Sequence, residues 1–114
     1  MMDDERSGSV ITPLQLVVEG SPSHPSVAVR GEIDVATSPR LRTELMHLIA
    51  NGATEITLHF DGVSFVDSSG LGVLVGAYKR LHENGRGAIR ITGAQPSVRK
   101  VFEITGLETA LLTN

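Results

Sequence analysis

The side chains with most to offer chemistry sit together at Asp67-Ser68-Ser69-Gly70, where a carboxylate is followed at once by two hydroxyls and a glycine. All three oxygen-bearing groups can accept hydrogen bonds from the free N–H groups that open a helix, so by residue type alone both serines read as helix caps. A helix start also tolerates added negative charge. The two hydroxyls are not equivalent, because neighbours on a helix project about 100° apart.

Other chemistry is excluded by spacing. Gly70-x-Gly72-x-x-x-Gly76 follows a strand as a dinucleotide fingerprint would, but its third glycine comes one residue late and no acidic residue ends the following strand. There is no Gly-Lys-Ser/Thr phosphate loop and no nucleophile elbow. His24, His47, His59 and His82 have no ligand spacing with one another, and there is no cysteine, so no metal site, disulfide, thiol chemistry or cofactor is expected. Glu32 and Asp34, which close an earlier apolar stretch, are not read as a catalytic pair.

The elements that must position the serines lie directly on either side. Upstream, Ile56, Leu58 and Phe60 alternate with Thr57 and His59, and Val63, Phe65 and Val66 prolong the run, which predicts a strand buried on at least one face. Downstream, Leu71, Leu74, Val75, Tyr78 and Leu81 form a helical stripe, with Lys79 and Arg80 turned away from it. The opposite helix face, Gly72, Val73, Gly76 and Ala77, is small and uncharged. Interior glycines cost roughly 1 kcal/mol each relative to alanine, so a close approach must offset them. Either a neighbouring element of the same domain or a protein partner would supply it.

Around this unit, Leu14, Leu16 and Val18 predict a first strand, and 20–25 a loop. Val27, Val29 and Gly31 begin a second strand, antiparallel to the first. Thr37-Ser38-Pro39 offers a cap and an N-terminal proline for a helix with Leu41, Leu45, Leu48 and Ile49 on its apolar side, ending at Asn51-Gly52. Asn84-Gly85 closes the helix that follows the serines, and a strand covers 88–92. Gln95-Pro96-Ser97 opens a third helix with Val98, Val101, Phe102 and Ile104 on its buried face; Gly106 stops it, and 107–112 is read as a short last strand. The prediction is an α/β sandwich: a mixed β-sheet of about four to five strands, with three to four helices mainly on one side.

A chain of 114 residues suits one domain over 1–114, with 1–12 expected to be a flexible arm. The net charge of −3 and pI near 5.7 argue against nucleic acid as a partner, because the basic face and interleaved aromatics such a binder needs are missing: only Phe60, Phe65, Phe102 and Tyr78 are aromatic. No apolar stretch reaches the length of a membrane span, and the first residues are acidic and polar, so a cytoplasmic location with no membrane partner is expected. A protein partner fits best.

The run Asp61-Gly62-Val63-Ser64-Phe65-Val66-Asp67-Ser68-Ser69-Gly70-Leu71-Gly72-Val73-Leu74 resembles the signature of the STAS domain family, in particular its bacterial anti-sigma factor antagonists. Gly31-Glu32-Ile33-Asp34 and Phe102-Glu103-Ile104-Thr105-Gly106-Leu107 extend the resemblance over nearly the whole chain. It implies a STAS-like fold and a regulatory role without catalytic activity of its own. Unphosphorylated, such a protein binds an anti-sigma factor that is a serine kinase and so frees a sigma factor; phosphorylated, it lets go, and a phosphatase resets it. The resemblance marks Ser69 as the phosphorylated position. It implies a partner-binding set of Asp34, Asp67, Ser68, Ser69, Gly70, Gly72, Val73 and Gly76, with Ser68 as the helix cap. Related domains also occur in stress-signalling and lipid-transport assemblies, so the alternative is a non-switching scaffold or regulatory subunit.

Overall fold

The structure is a computed structural model that describes residues 13–83, 85 and 87–113. It contains strands β1 (Gln15–Gly20), β2 (Pro25–Ile33), β3 (Glu55–Val66) and β4 (Ala88–Thr92), and helices α1 (Ser38–Ala50), α2 (Ser68–Glu83), α3 (Pro96–Thr105) and α4 (Glu108–Leu111). The strands form one sheet in the order β1-β2-β3-β4, antiparallel at β1–β2 and parallel at β2–β3 and β3–β4. Parallel neighbours need a crossover, and α1 and α2 supply the two. The architecture is the mixed α/β sandwich that the sequence predicts.

Alternation decides which sheet face is covered. Val27, Val29 and Ile33 of β2, Ile56, Leu58 and Phe60 of β3, and Ile89 and Ile91 of β4 are all buried, as are Leu41 and Leu45 of α1, Leu74 and Leu81 of α2, and Val98 and Phe102 of α3. Phe60 and Phe102 meet edge to face with ring centroids 6.4 Å apart, which docks α3 on the central strand. The intervening strand residues are wetter: His59 Nδ1 hydrogen-bonds Thr92 Oγ1 at 2.9 Å, and Arg90 pairs with Glu55.

One departure from alternation matters for the site. The β2–β3 register runs from Ala28 opposite His59 to Arg30 opposite Gly62, and from Gly31 opposite Val63 to Glu32 opposite Phe65. At each step β3 takes up one residue more than β2, so its phase flips twice and the buried positions become 56, 58, 60, then 63, then 66. Phe65 is thereby left 46% exposed, although its apolar neighbours suggest a core residue.

Three other expectations are corrected. In β1, on the outside of the described sheet, Val18 is exposed and Leu16 only half-buried; the buried Leu14 stands just before the strand begins. Ile104 is 75% exposed because it lies two residues beyond Phe102, roughly 200° further round α3. The predicted last strand is the short helix α4 followed by a single bridge between Leu112 and Ile91. Gly106 ends α3 in the left-handed conformation at φ +76°, and Leu107 and Leu111, four apart, then suit a helical turn. The expectations for the arm at 1–12 and for Asn84 lie outside the described residues; Gly85 does take a positive φ of 95°.

Candidate functional site

The two parallel strands β2 and β3 end together, with Ile33 opposite Val66, and each is followed by an aspartate and then a helix. The Asp67 N–H donates to the Ile33 carbonyl at 3.1 Å, which fastens one strand end to the other. The fold thereby brings the Asp34 and Asp67 segments to the same end of the sheet.

Asp67 is the cap of α2. Its Oδ1 accepts the N–H of Ser69 at 2.9 Å and of Gly70 at 3.3 Å, while its carbonyl accepts the N–H of Leu71 at 3.0 Å. These are the second and third helical residues, the N–H groups that a cap side chain reaches. Ser68 is the first helical residue and exposed, so its hydroxyl is past the capping position; the cap expected of Ser68 belongs to Asp67 instead. Asp67→Ala should therefore cost about 1 kcal/mol in denaturant unfolding, and Ser68→Ala less than about 0.5 kcal/mol. The reverse order would return the cap to Ser68.

Where Asp67 caps α2 directly, Asp34 closes the turn over 35–37 that leads into α1. Its Oδ1 accepts the N–H groups of Ala36 and Thr37, both at 3.0 Å, and its carbonyl accepts the Ser38 N–H at 2.7 Å. The Thr37 backbone N–H, first among several hydrogen bonds, holds the Asp34 carboxyl below its ordinary pKa. The side-chain cap expected from Thr37-Ser38-Pro39 is not made: α1 begins at Ser38, and the Thr37 hydroxyl turns back to donate to the Glu32 carbonyl at 2.7 Å and to accept the Asp34 N–H at 2.9 Å.

The glycines divide into two kinds. Gly70 is buried, and a Cβ there would stand 2.6 Å from Ile33 Cγ2 and 2.8 Å from Val66 Cγ2, so this glycine lets α2 settle on the strand ends. Gly72 and Gly76 are exposed, and a Cβ on either would meet nothing within 4 Å. Close packing inside the domain therefore does not account for them. Ala77, grouped with them by sequence, is fully buried, while Val75 and Tyr78 are only half-buried. The core stripe of α2 is Leu71, Leu74, Ala77 and Leu81, and the small outward face is left to Ser69, Gly72, Val73 and Gly76.

That face borders a groove of about 450 Å³ between α2 and α1, with Arg42 and Met46 on the α1 side and Lys79, Arg80 and Glu83 toward the far end. Ser69 is half-buried at its head, and among the described residues neither serine hydroxyl has a hydrogen-bond partner. Sequence reasoning missed Arg42 and Met46, which it left unassigned on the helix after Thr37. It also missed Val35, 75% exposed next to Asp34, and the exposure of Phe65 just before the turn. Among the described residues no group of three or more His, Cys, Asp or Glu side chains could hold a metal ion.

The STAS domain model matches residues 15–113. This chain belongs to the STAS domain family. Among relatives of this STAS domain, the anti-sigma-B factor antagonist of Staphylococcus aureus strain NCTC 8325 is 38% identical over 88 residues, which is 77% of this chain and 81% of that one. The unphosphorylated anti-sigma factor antagonist SpoIIAA superposes with a TM-score of 0.76 at 26% identity, over 88% of this chain and 89% of that one. The Bacillus cell fate determinant SpoIIAA in its phosphorylated form gives a TM-score of 0.67 at 27% identity, covering 89% and 91%.

Proposed function

We propose that this STAS domain is an anti-sigma factor antagonist switched by phosphorylation of Ser69. Unphosphorylated, it docks the exposed face of α2 on an anti-sigma factor that is a serine kinase, and so frees a sigma factor; phosphorylated, it is released until a phosphatase resets it. The observation that carries this reading is Ser69 itself: a hydroxyl with no partner among the described residues, at the head of an open groove beside two glycines with empty space around them. On this reading Ser69 is a substrate, and the catalytic groups belong to the kinase. The partner-facing set is Asp34, Asp67, Ser68, Ser69, Gly72, Val73 and Gly76, with Gly70 beneath it holding the helix start in place. The site of action is the cytoplasm, where the sigma factor is; no described helix is long and apolar enough to cross a membrane.

The physics of release is local. A phosphate at the second residue of α2 places up to about two negative charges where the helix dipole favours them, so the domain keeps its fold. A partner surface fitted to a neutral hydroxyl would instead meet a bulky dianion. Incubation with anti-sigma kinases and ATP, followed by intact mass measurement, tests the reading: wild type and Ser68→Ala should gain one phosphate, whereas Ser69→Ala should gain none and still bind the kinase. Phosphopeptide mapping to Ser68, Thr37 or Ser64 would overturn the assignment. Binding indifferent to the phosphate would indicate a non-switching scaffold instead.

A further inference from the structure

The groove beside Ser69 is cationic, in a chain whose net charge is −3. Arg42 contributes from α1 and Lys79 and Arg80 from α2, against one carboxylate, Glu83. None of these four forms an ion pair with another described residue, whereas Glu55 pairs with Arg90 and Glu103 with Arg99. Between the cations the floor is bare, because Gly72 and Gly76 have no side chain and nothing within 4 Å of where one would stand. An incoming chain can thus approach the α2 backbone closely with cations on both sides of it.

These two properties select an occupant. A basic segment would be repelled, and a purely apolar one would desolvate a guanidinium and an ammonium without return. A small phosphate ligand would want a cradle of free backbone N–H groups, but Gly72 and Gly76 lie inside α2, past the first four residues whose N–H groups are free. A carboxylate-bearing peptide chain satisfies both the cations and the bare floor, and Arg42 offers it a two-pronged guanidinium. We propose that the groove receives an acidic segment of the protein partner, lying over Gly72 and Gly76 with carboxylates toward Arg42 and Lys79. This rests on reading the α2 face as a docking surface, and not on any modification of Ser69. It also supplies a cause for release, since a phosphate on Ser69 would stand at the head of the same groove, against the carboxylates of its occupant.

The test uses the full ¹⁵N-labelled chain and two synthetic helical peptides of equal length and apolar content, one rich in glutamate and one in lysine. The glutamate peptide should shift the amide signals of Gly72, Gly76 and Lys79, and the response should fall steeply between about 0.05 and 0.5 M salt. In the double variant Arg42→Glu/Lys79→Glu, both changes lying at exposed positions, its affinity should drop at least tenfold with the spectrum otherwise unchanged. An equal response to the lysine peptide, shifts confined to other residues, or no response at millimolar peptide would overturn the proposal. So would inorganic phosphate or ATP reproducing the same shifts, which would make this a small-anion site. The outcome is separable from the phosphorylation assay: Ser69 phosphorylated without peptide binding sinks only this inference, and peptide binding without phosphorylation sinks only the switch.

Discussion

Gly76→Gln should fold at least as well as wild type and lose its protein partner. The added side chain enters open space, since nothing lies within 4 Å of its Cβ, and replacing a glycine inside a helix gains roughly 0.5–1 kcal/mol of helix propensity. The melting temperature should therefore rise by a few degrees. Binding should fall, because the new side chain fills the strip along which a partner must approach the α2 backbone. A loss of about 2 kcal/mol, some thirtyfold in Kd, is the threshold for a central contact. Calorimetric titration of the variant with the kinase partner proposed above measures it. Wild-type affinity would show that the docking surface is elsewhere.

Gly70→Val should do the opposite, although it lies in the same short motif. Its Cβ would already stand 2.6 Å from Ile33 Cγ2 and 2.8 Å from Val66 Cγ2, and both neighbours are core residues with no free end to swing aside. Overpacking of this kind costs typically 1–3 kcal/mol, and at about 4 °C per kcal/mol for a chain of this size the melting temperature should drop by roughly 4–12 °C. Thermal unfolding followed by circular dichroism would decide it; an unchanged midpoint would mean that α2 can lift off the strand ends at little cost. Two glycines of one signature thus carry different burdens, one toward the core and one toward solvent.

Much of this was legible in the residues. The alternation of Ile56, Leu58 and Phe60 and the helical spacing of Leu71, Leu74 and Leu81 gave strand, turn and helix in their places, because burial on a sheet face and on a helix stripe leaves periods that a sequence displays. What failed did so where geometry depends on a second element. Ala77 is nearly as small as its glycine neighbours, and only the pose of α2 against the sheet sends it inward. Ser68 and Asp67 are both capping residues, and which one caps depends on where the helix begins, a boundary fixed by the bond from the Asp67 N–H to the Ile33 carbonyl. Arg42 reaches the groove from a helix far away in sequence, so no local pattern could place it beside Ser69.

The double phase change in β3 gives the site a dependence on length as well as on composition. Between Phe60 and Asp67 the strand carries two residues more than its partner needs, and the aim of everything downstream follows from that count. Removing Ser64 alone would leave Asp34, Asp67, Ser69 and both outward glycines in the chain. It would also ask the strand either to turn Val66 out of the core or to pull the aspartate away from the α2 N–H groups it caps. Single-residue deletions across 61–65 are therefore the class of change that could silence this surface without replacing any residue on it, and tolerance to insertion and deletion should reach a minimum there, in a segment whose side chains are largely exposed.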